Sequence, residues 1–70
     1  MVLTEGQEVT LELTVFGITT TEPRKVLTVD MAGIWLDNGP GNRPSGPYNT
    51  TTGQWRDNGV IVGSRQRVIL

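Results

Sequence analysis

The chain carries no histidine and no cysteine. The commonest catalytic base and the best thiolate nucleophile and metal ligand are therefore missing. Acid–base or covalent chemistry would fall to serine, lysine, tyrosine or carboxylates. Ser45 and Ser64 stand among turn residues with no nucleophile elbow around them. Lys25 is the only lysine and lies next to Pro23-Arg24. One arrangement has a chemical look. The pattern Trp-x-Asp-Asn-Gly occurs at 35–39 and again at 55–59, and it holds both tryptophans. It sets Asp37 and Asp57 in equivalent places, where neighbouring strands would let them meet as an acid/base or cation-holding pair. Asp before Asn-Gly is also ordinary turn chemistry. Residues 37–42 lack the spacing and closing glutamate of a calcium loop. The expectation is a non-enzymatic chain with no metal and no cofactor.

What the pattern does supply is binding chemistry. Trp35, Tyr48 and Trp55, with Arg43 and Arg56, are residue types enriched where proteins hold one another most tightly. Asp37 and Asp57 share a strand face with the two tryptophans. Between the copies runs a stretch, 38–53, that holds three of the four prolines and four of the nine glycines. Loops of that length in a small domain are usually functional or disordered. Two outcomes stay open: the loop covers the aromatics, or it leaves them as an apolar patch that calls for a partner. The favoured partner is another protein, or a second copy of this chain. The alternative is single-stranded nucleic acid or RNA, held by Arg43, Arg56, Arg65 and Arg67 with bases stacked on the aromatics. Formal net charge is −1, which gives no whole-chain footprint for nucleic acid. The basic residues all follow position 22, however, while Glu5, Glu8, Glu12 and Glu22 do not.

The elements that must position these residues read as strands. Val9, Leu11, Leu13 and Val15 alternate with Glu8, Thr10, Glu12 and Thr14, which predicts a half-buried antiparallel strand over 8–16. Gly17 to Pro23 reads as a wide hairpin loop, since Pro23 removes a donor and Glu22 precedes it. A second strand is expected over 25–31 and a third over 34–37, where Ile34 and Leu36 oppose Trp35 and Asp37. Residues 38–53 read as one long loop. Runs at 54–57 and 60–62 flank Asn58-Gly59, the strongest short signal for a type I′ hairpin turn. A brief turn, 63–66, then leads to a last strand at 67–70. No apolar run approaches the length of a membrane span, and the first residues have no basic and apolar leader. A cytoplasmic location follows as an expectation, and a viral or plasmid accessory protein as a guess about origin. Asn49-Thr50-Thr51 matches the glycosylation sequon but reads better as a turn.

The tail, Val60-Ile61-Val62-Gly63-Ser64-Arg65-Gln66-Arg67-Val68-Ile69-Leu70, resembles the final strand, 3₁₀ turn and strand of SH3-like barrels. That resemblance implies a single five-stranded antiparallel β-barrel with the long loop 38–53. It carries over no functional residue, because the Ala-Leu-Tyr-Asp-Tyr-type segment of signalling SH3 domains is missing. An OB-like barrel is the second choice, and it wants a helix that is not seen.

Overall fold

The computed structural model describes residues 3–70. Met1 and Val2, read as part of a lead-in, lie outside the described residues. The described residues are all-β, with no helix. Five strands form one curled antiparallel sheet: β1 (Glu8–Val15), β2 (Ile18–Asp30), β3 (Gly33–Asp37), β4 (Ser45–Tyr48) and β5 (Ser64–Ile69), in the order β4-β3-β2-β1-β5.

The alternation in β1 does what it predicts at its first half. Val9 and Leu11 are buried and Leu13 is half-buried, but Val15 is exposed. The wide loop expected before the second strand is absent. β2 starts at Ile18 and runs straight through Glu22-Pro23. A two-residue turn, Phe16-Gly17, joins it to β1, and both residues have positive φ (47° and 83°). Val15 and Ile18 are then the hydrogen-bonded closing pair, so residues 19, 21 and 23 turn their peptide groups away from β1. Pro23, which has no N–H, falls in that outward set and removes no bond from the β1 ladder. The type I′ signature thus belongs to Phe16-Gly17 and not to Asn58-Gly59, since Asn58 has no positive φ.

β2 serves two neighbours. Residues 18–25 pair with β1, and 25–30 pair with β3 through a register shift between Val26 and Thr28. The sheet curls at this shared strand. The inward residue on the far half is Val26, while Leu27, Val29 and Met31 are exposed.

The stretch 38–53 is not one irregular loop. It contains β4, which pairs with β3 through Ile34↔Tyr48 and Leu36↔Ser45. Gly and Pro composition argues against a strand locally, but β4 needs only one regular neighbour. The hairpin expected around Asn58-Gly59 is also replaced. Gln54 and Trp55 form isolated bridges to Arg67 and Tyr48 respectively. The Trp55 N–H donates to the Gln66 carbonyl (3.1 Å) and the Arg56 N–H to the Pro47 carbonyl (3.0 Å), so this short segment links β4 to β5 across the curl. Turns fill 56–63, and the 3₁₀ turn anticipated at 63–66 is instead the start of β5.

The core is Val9, Leu11, Val26, Ile34, Leu36, Tyr48 and Val68, with Leu3, Leu13 and Trp55 packed against it. Burial of Ile34 and Leu36 leaves Trp35 on the other side of β3, half-buried, as their alternation requires.

Candidate functional site

The residues that the repeated pattern singled out differ in burial and in hydrogen-bond partners. Tyr48 belongs to the core: it has no exposure, and its hydroxyl donates to Gln66 Oε1 at 2.6 Å. Burial pushes its phenol above the ordinary value, opposed by the neighbouring Ser45 hydroxyl and Arg24. A buried Tyr48 cannot be a contact residue, which corrects the expectation that it helps form the binding face.

The tryptophans are half-buried and their polar ends are satisfied internally. Trp35 Nε1 donates to both carboxylate oxygens of Asp30, each at 3.1 Å. Asp30 Oδ1 also accepts from the N–H groups of Ala32 and Gly33, so this one carboxylate organises the β2–β3 turn. Trp55 Nε1 donates to the Gly46 carbonyl at 3.2 Å. A Cβ on Gly46 would come within 3.2 Å of the Trp35 ring, so both indoles meet β4 at the same bare backbone.

The two aspartates have separate local tasks. Asp37 Oδ1 accepts from the Gly39 N–H at 2.8 Å, an Asx turn. Asp57 lies 3.5 Å from Arg56 Nε on the surface. The two asparagines diverge further. Asn38 donates to the Arg43 carbonyl and accepts from Ser45 Oγ, holding the loop before β4. Asn58 donates to the Gln66 carbonyl (3.0 Å) and accepts from the Gln66 N–H (2.8 Å), imitating a strand neighbour for β5. The arginines are also dispersed. Arg65 and Arg67 stand on the outer side of β5, where Arg67 faces Glu12 at 3.3 Å. Arg43 lies instead in a groove with Leu11, Leu13, Arg24 and Gln66.

The surface that does stand out was not anticipated. Val15, Phe16 and Ile18 at the β1–β2 turn, with Val60, Ile61 and Val62 from the loop before β5, are all exposed. They meet through backbone and ring. The Phe16 N–H donates to the Gly63 carbonyl at 2.7 Å, and the Ser64 N–H donates to the Ile61 carbonyl at 3.2 Å. Ser64 is paired across the sheet with Val15. The Phe16 ring lies on Gly63 so closely that a Cβ there would come within 2.6 Å of it. Phe16 remains 77% exposed and Val62 85% exposed. Residues 15–18 and 60–63 hold no charged side chain. Burying each of these large side chains would gain roughly 1.5–3 kcal/mol, a gain the fold forgoes. Phe16 also keeps a left-handed backbone that costs an L-residue about 1–2 kcal/mol. Exposed apolar surface and local strain in one place are marks of a contact site.

A signal for this end was present in the sequence. Turn residues are normally Gly, Pro, Asn, Asp or Ser. Val15-Phe16-Gly17-Ile18 puts large apolar residues there, and Val60-Ile61-Val62 shows no polar alternation.

The chain matches no protein-family model, no curated protein and no solved structure. No helix of the described residues is long and apolar enough to cross a membrane.

Proposed function

We propose that the chain is a non-catalytic protein-binding module on a small barrel of SH3-like type. The curled five-stranded antiparallel sheet, with β2 shared between its two halves, supports the barrel reading. The observation that carries the function is the apolar end: Phe16 held in a strained, exposed position beside Val15, Ile18 and Val60-Ile61-Val62. The contact moves from the tryptophan loop to this end, because the indole N–H groups are already satisfied and Tyr48 is buried.

The partner is a different protein with a concave apolar pocket. A two-fold contact between copies needs a self-complementary patch. A hairpin tip is convex, and two tips set end to end cover little area. Phe16 would be the anchor, with the valines and isoleucines excluding water around it.

The test is a photo-crosslinking benzophenone side chain placed at Phe16, and as a control at Thr10 on the outer side of β1. Discrete adducts from position 16 are expected, competed by the unmodified chain and not by a Phe16→Asn variant. Equal competition by that variant, or the same adducts from Thr10, would remove the apolar end as the contact. Sedimentation of the chain alone is expected to show a monomer. A dimer that Phe16→Asn dissolves would make the partner a second copy instead.

A further inference from the structure

Away from the apolar end, the inner side of the sheet opens into a groove of about 450 Å³. Leu11 and Leu13 form its floor. Glu22 and Arg24 of β2 line one wall, and Asn38, Asn42, Arg43 and Ser45 line the other. The groove lies where β3 has ended. β3 pairs only with residues 25–30 of β2, so, among the described residues, 18–24 have β1 on one side and no strand on the other. On that unpaired edge the two-residue turn directs the N–H and C=O groups of Thr19 and Thr21 outward. Pro23, the next in the outward set, has a carbonyl and no donor. The edge is therefore a short template for one more strand.

The side chains around it have donors left over. Tyr48 holds the Gln66 amide by its oxygen, which leaves the Nε2 donor of this groove-lining residue unused by that bond. Arg24 gives one nitrogen to Glu22 at 3.0 Å and another to the Pro23 carbonyl at 3.3 Å, while its Nε is buried with no acceptor among the described residues. Arg43 makes no ion pair among the described residues. Asn42 and Asn38 use their amide nitrogens within the loop. Counting the side chains that line the groove, two arginines face one glutamate. Such a site wants a monoanionic acceptor. A phosphate chain, with repeated charge, would meet the Glu22 carboxylate.

We propose that this groove docks an extended segment of another protein that carries a glutamate or aspartate, its backbone pairing with the β2 edge and its carboxylate taken by Arg43 and Arg24. Main-chain pairing supplies the affinity and the arginines the selectivity, as in other strand-addition sites. Arg43 offers its planar fork to the carboxylate, and the Arg24 guanidinium adds a second positive charge on the same lining. The site adjoins the apolar end at Ile18-Thr19 but uses other groups, and it does not depend on that reading.

The experiment uses the full chain, isotope-labelled for amide NMR, and a capped heptapeptide that alternates valine with glutamate. A second peptide has glutamine in place of glutamate. Saturable shifts are expected at Thr19, Thr21, Arg24, Arg43 and Gln66 with the glutamate peptide. About tenfold weaker binding is expected for the glutamine peptide, and likewise for the glutamate peptide with the Arg43→Gln variant. Arg43 is exposed, so this variant should keep the wild-type spectrum elsewhere. Three results overturn the proposal: no saturable shift below about millimolar peptide, equal binding of the two peptides, or shifts away from the β2 edge. Tighter binding of a single-stranded oligonucleotide at these same residues would also overturn it, in favour of phosphate recognition.

Discussion

The two ends of the sheet treat similar side chains in opposite ways. Where β3 and β4 meet, Ile34, Leu36 and Tyr48 have no exposure, and the one polar group among them donates to Gln66. Where β1 turns into β2, Val15, Phe16 and Ile18 stand in solvent beside Val60, Ile61 and Val62. Both groups are large and apolar, and both lie on or beside paired strands. The first is enclosed where β4 pairs with β3 and Trp55 in turn bridges to Tyr48. Among the described residues no such pairing covers the second. In a chain this short there is not enough sheet to close both ends. The closed end stabilises the fold, and the open end leaves apolar area exposed, which is the area the proposed contact would use.

That division can be broken by experiment. The largest effect belongs to the closed end. Tyr48→Ala removes a fully buried ring and should cost about 3–5 kcal/mol. Total stability at this size is on the order of 3–10 kcal/mol, so loss of the dispersed NMR spectrum and of the thermal transition is expected. A cooperative melt near the wild-type temperature would mean that the closed end does not carry the fold.

Asn58→Ala comes next. It removes two hydrogen bonds from the half-buried backbone of Gln66, whose carbonyl keeps the bond from the Trp55 N–H, a loss of about 1–2 kcal/mol measurable by denaturant unfolding. The equivalent asparagine of the first pattern copy, Asn38, serves only its own loop and should cost less when replaced.

Tyr48→Phe keeps the ring and deletes one hydrogen bond, for about 1 kcal/mol or roughly 4–8 °C in melting temperature. It also changes the alkaline limit. An unfolded tyrosine ionises near 10.0, while the buried phenol holds its proton to higher pH. Between the two values the unfolded chain has released a proton that the folded chain keeps, so stability should fall as pH rises above about 10. Tyr48→Phe should lack that part of the decline. Unfolding midpoints measured on both sides of pH 10 would show it, and identical slopes would remove Tyr48 as the source.

The smallest change in stability is expected at the open end, and its sign matters most. Phe16→Asn replaces a strained aromatic with the residue type best suited to a type I′ turn. The melting temperature should stay level or rise by a few degrees. Partner affinity should fall about tenfold to a hundredfold. A marked loss of stability instead would make Phe16 a structural residue.

Much of the β-architecture was legible locally, and particular residues show where legibility ended. Val9 and Leu11 declare their inward face by alternation, and so do Ile34 and Leu36. Thr19-Thr20-Thr21-Glu22-Pro23 did not declare a strand, because Pro23 reads as a breaker until its missing N–H is seen to face away from β1. Ser45–Tyr48 was hidden by its Gly and Pro, and only pairing with β3 makes it a strand. Asn58-Gly59 carried the stronger turn signal, but the Asn58 amide is held by Gln66, eight residues on. The apolar end was the least legible. Its two halves lie more than forty residues apart and are brought together by the pairing of β1 with β5.

By itself, then, the sequence determined the class of structure and the chemistry on hand: period-two strands, one set of inward residues, no histidine or thiol, and a doubled Trp-x-Asp-Asn-Gly. Tertiary structure decided what each part became. Local preferences are worth a kilocalorie or less per residue, whereas enclosing a side chain such as Tyr48 is worth several. The registers that enclose Ile34, Leu36 and Tyr48 therefore prevailed, and they left Phe16 and its neighbours outside.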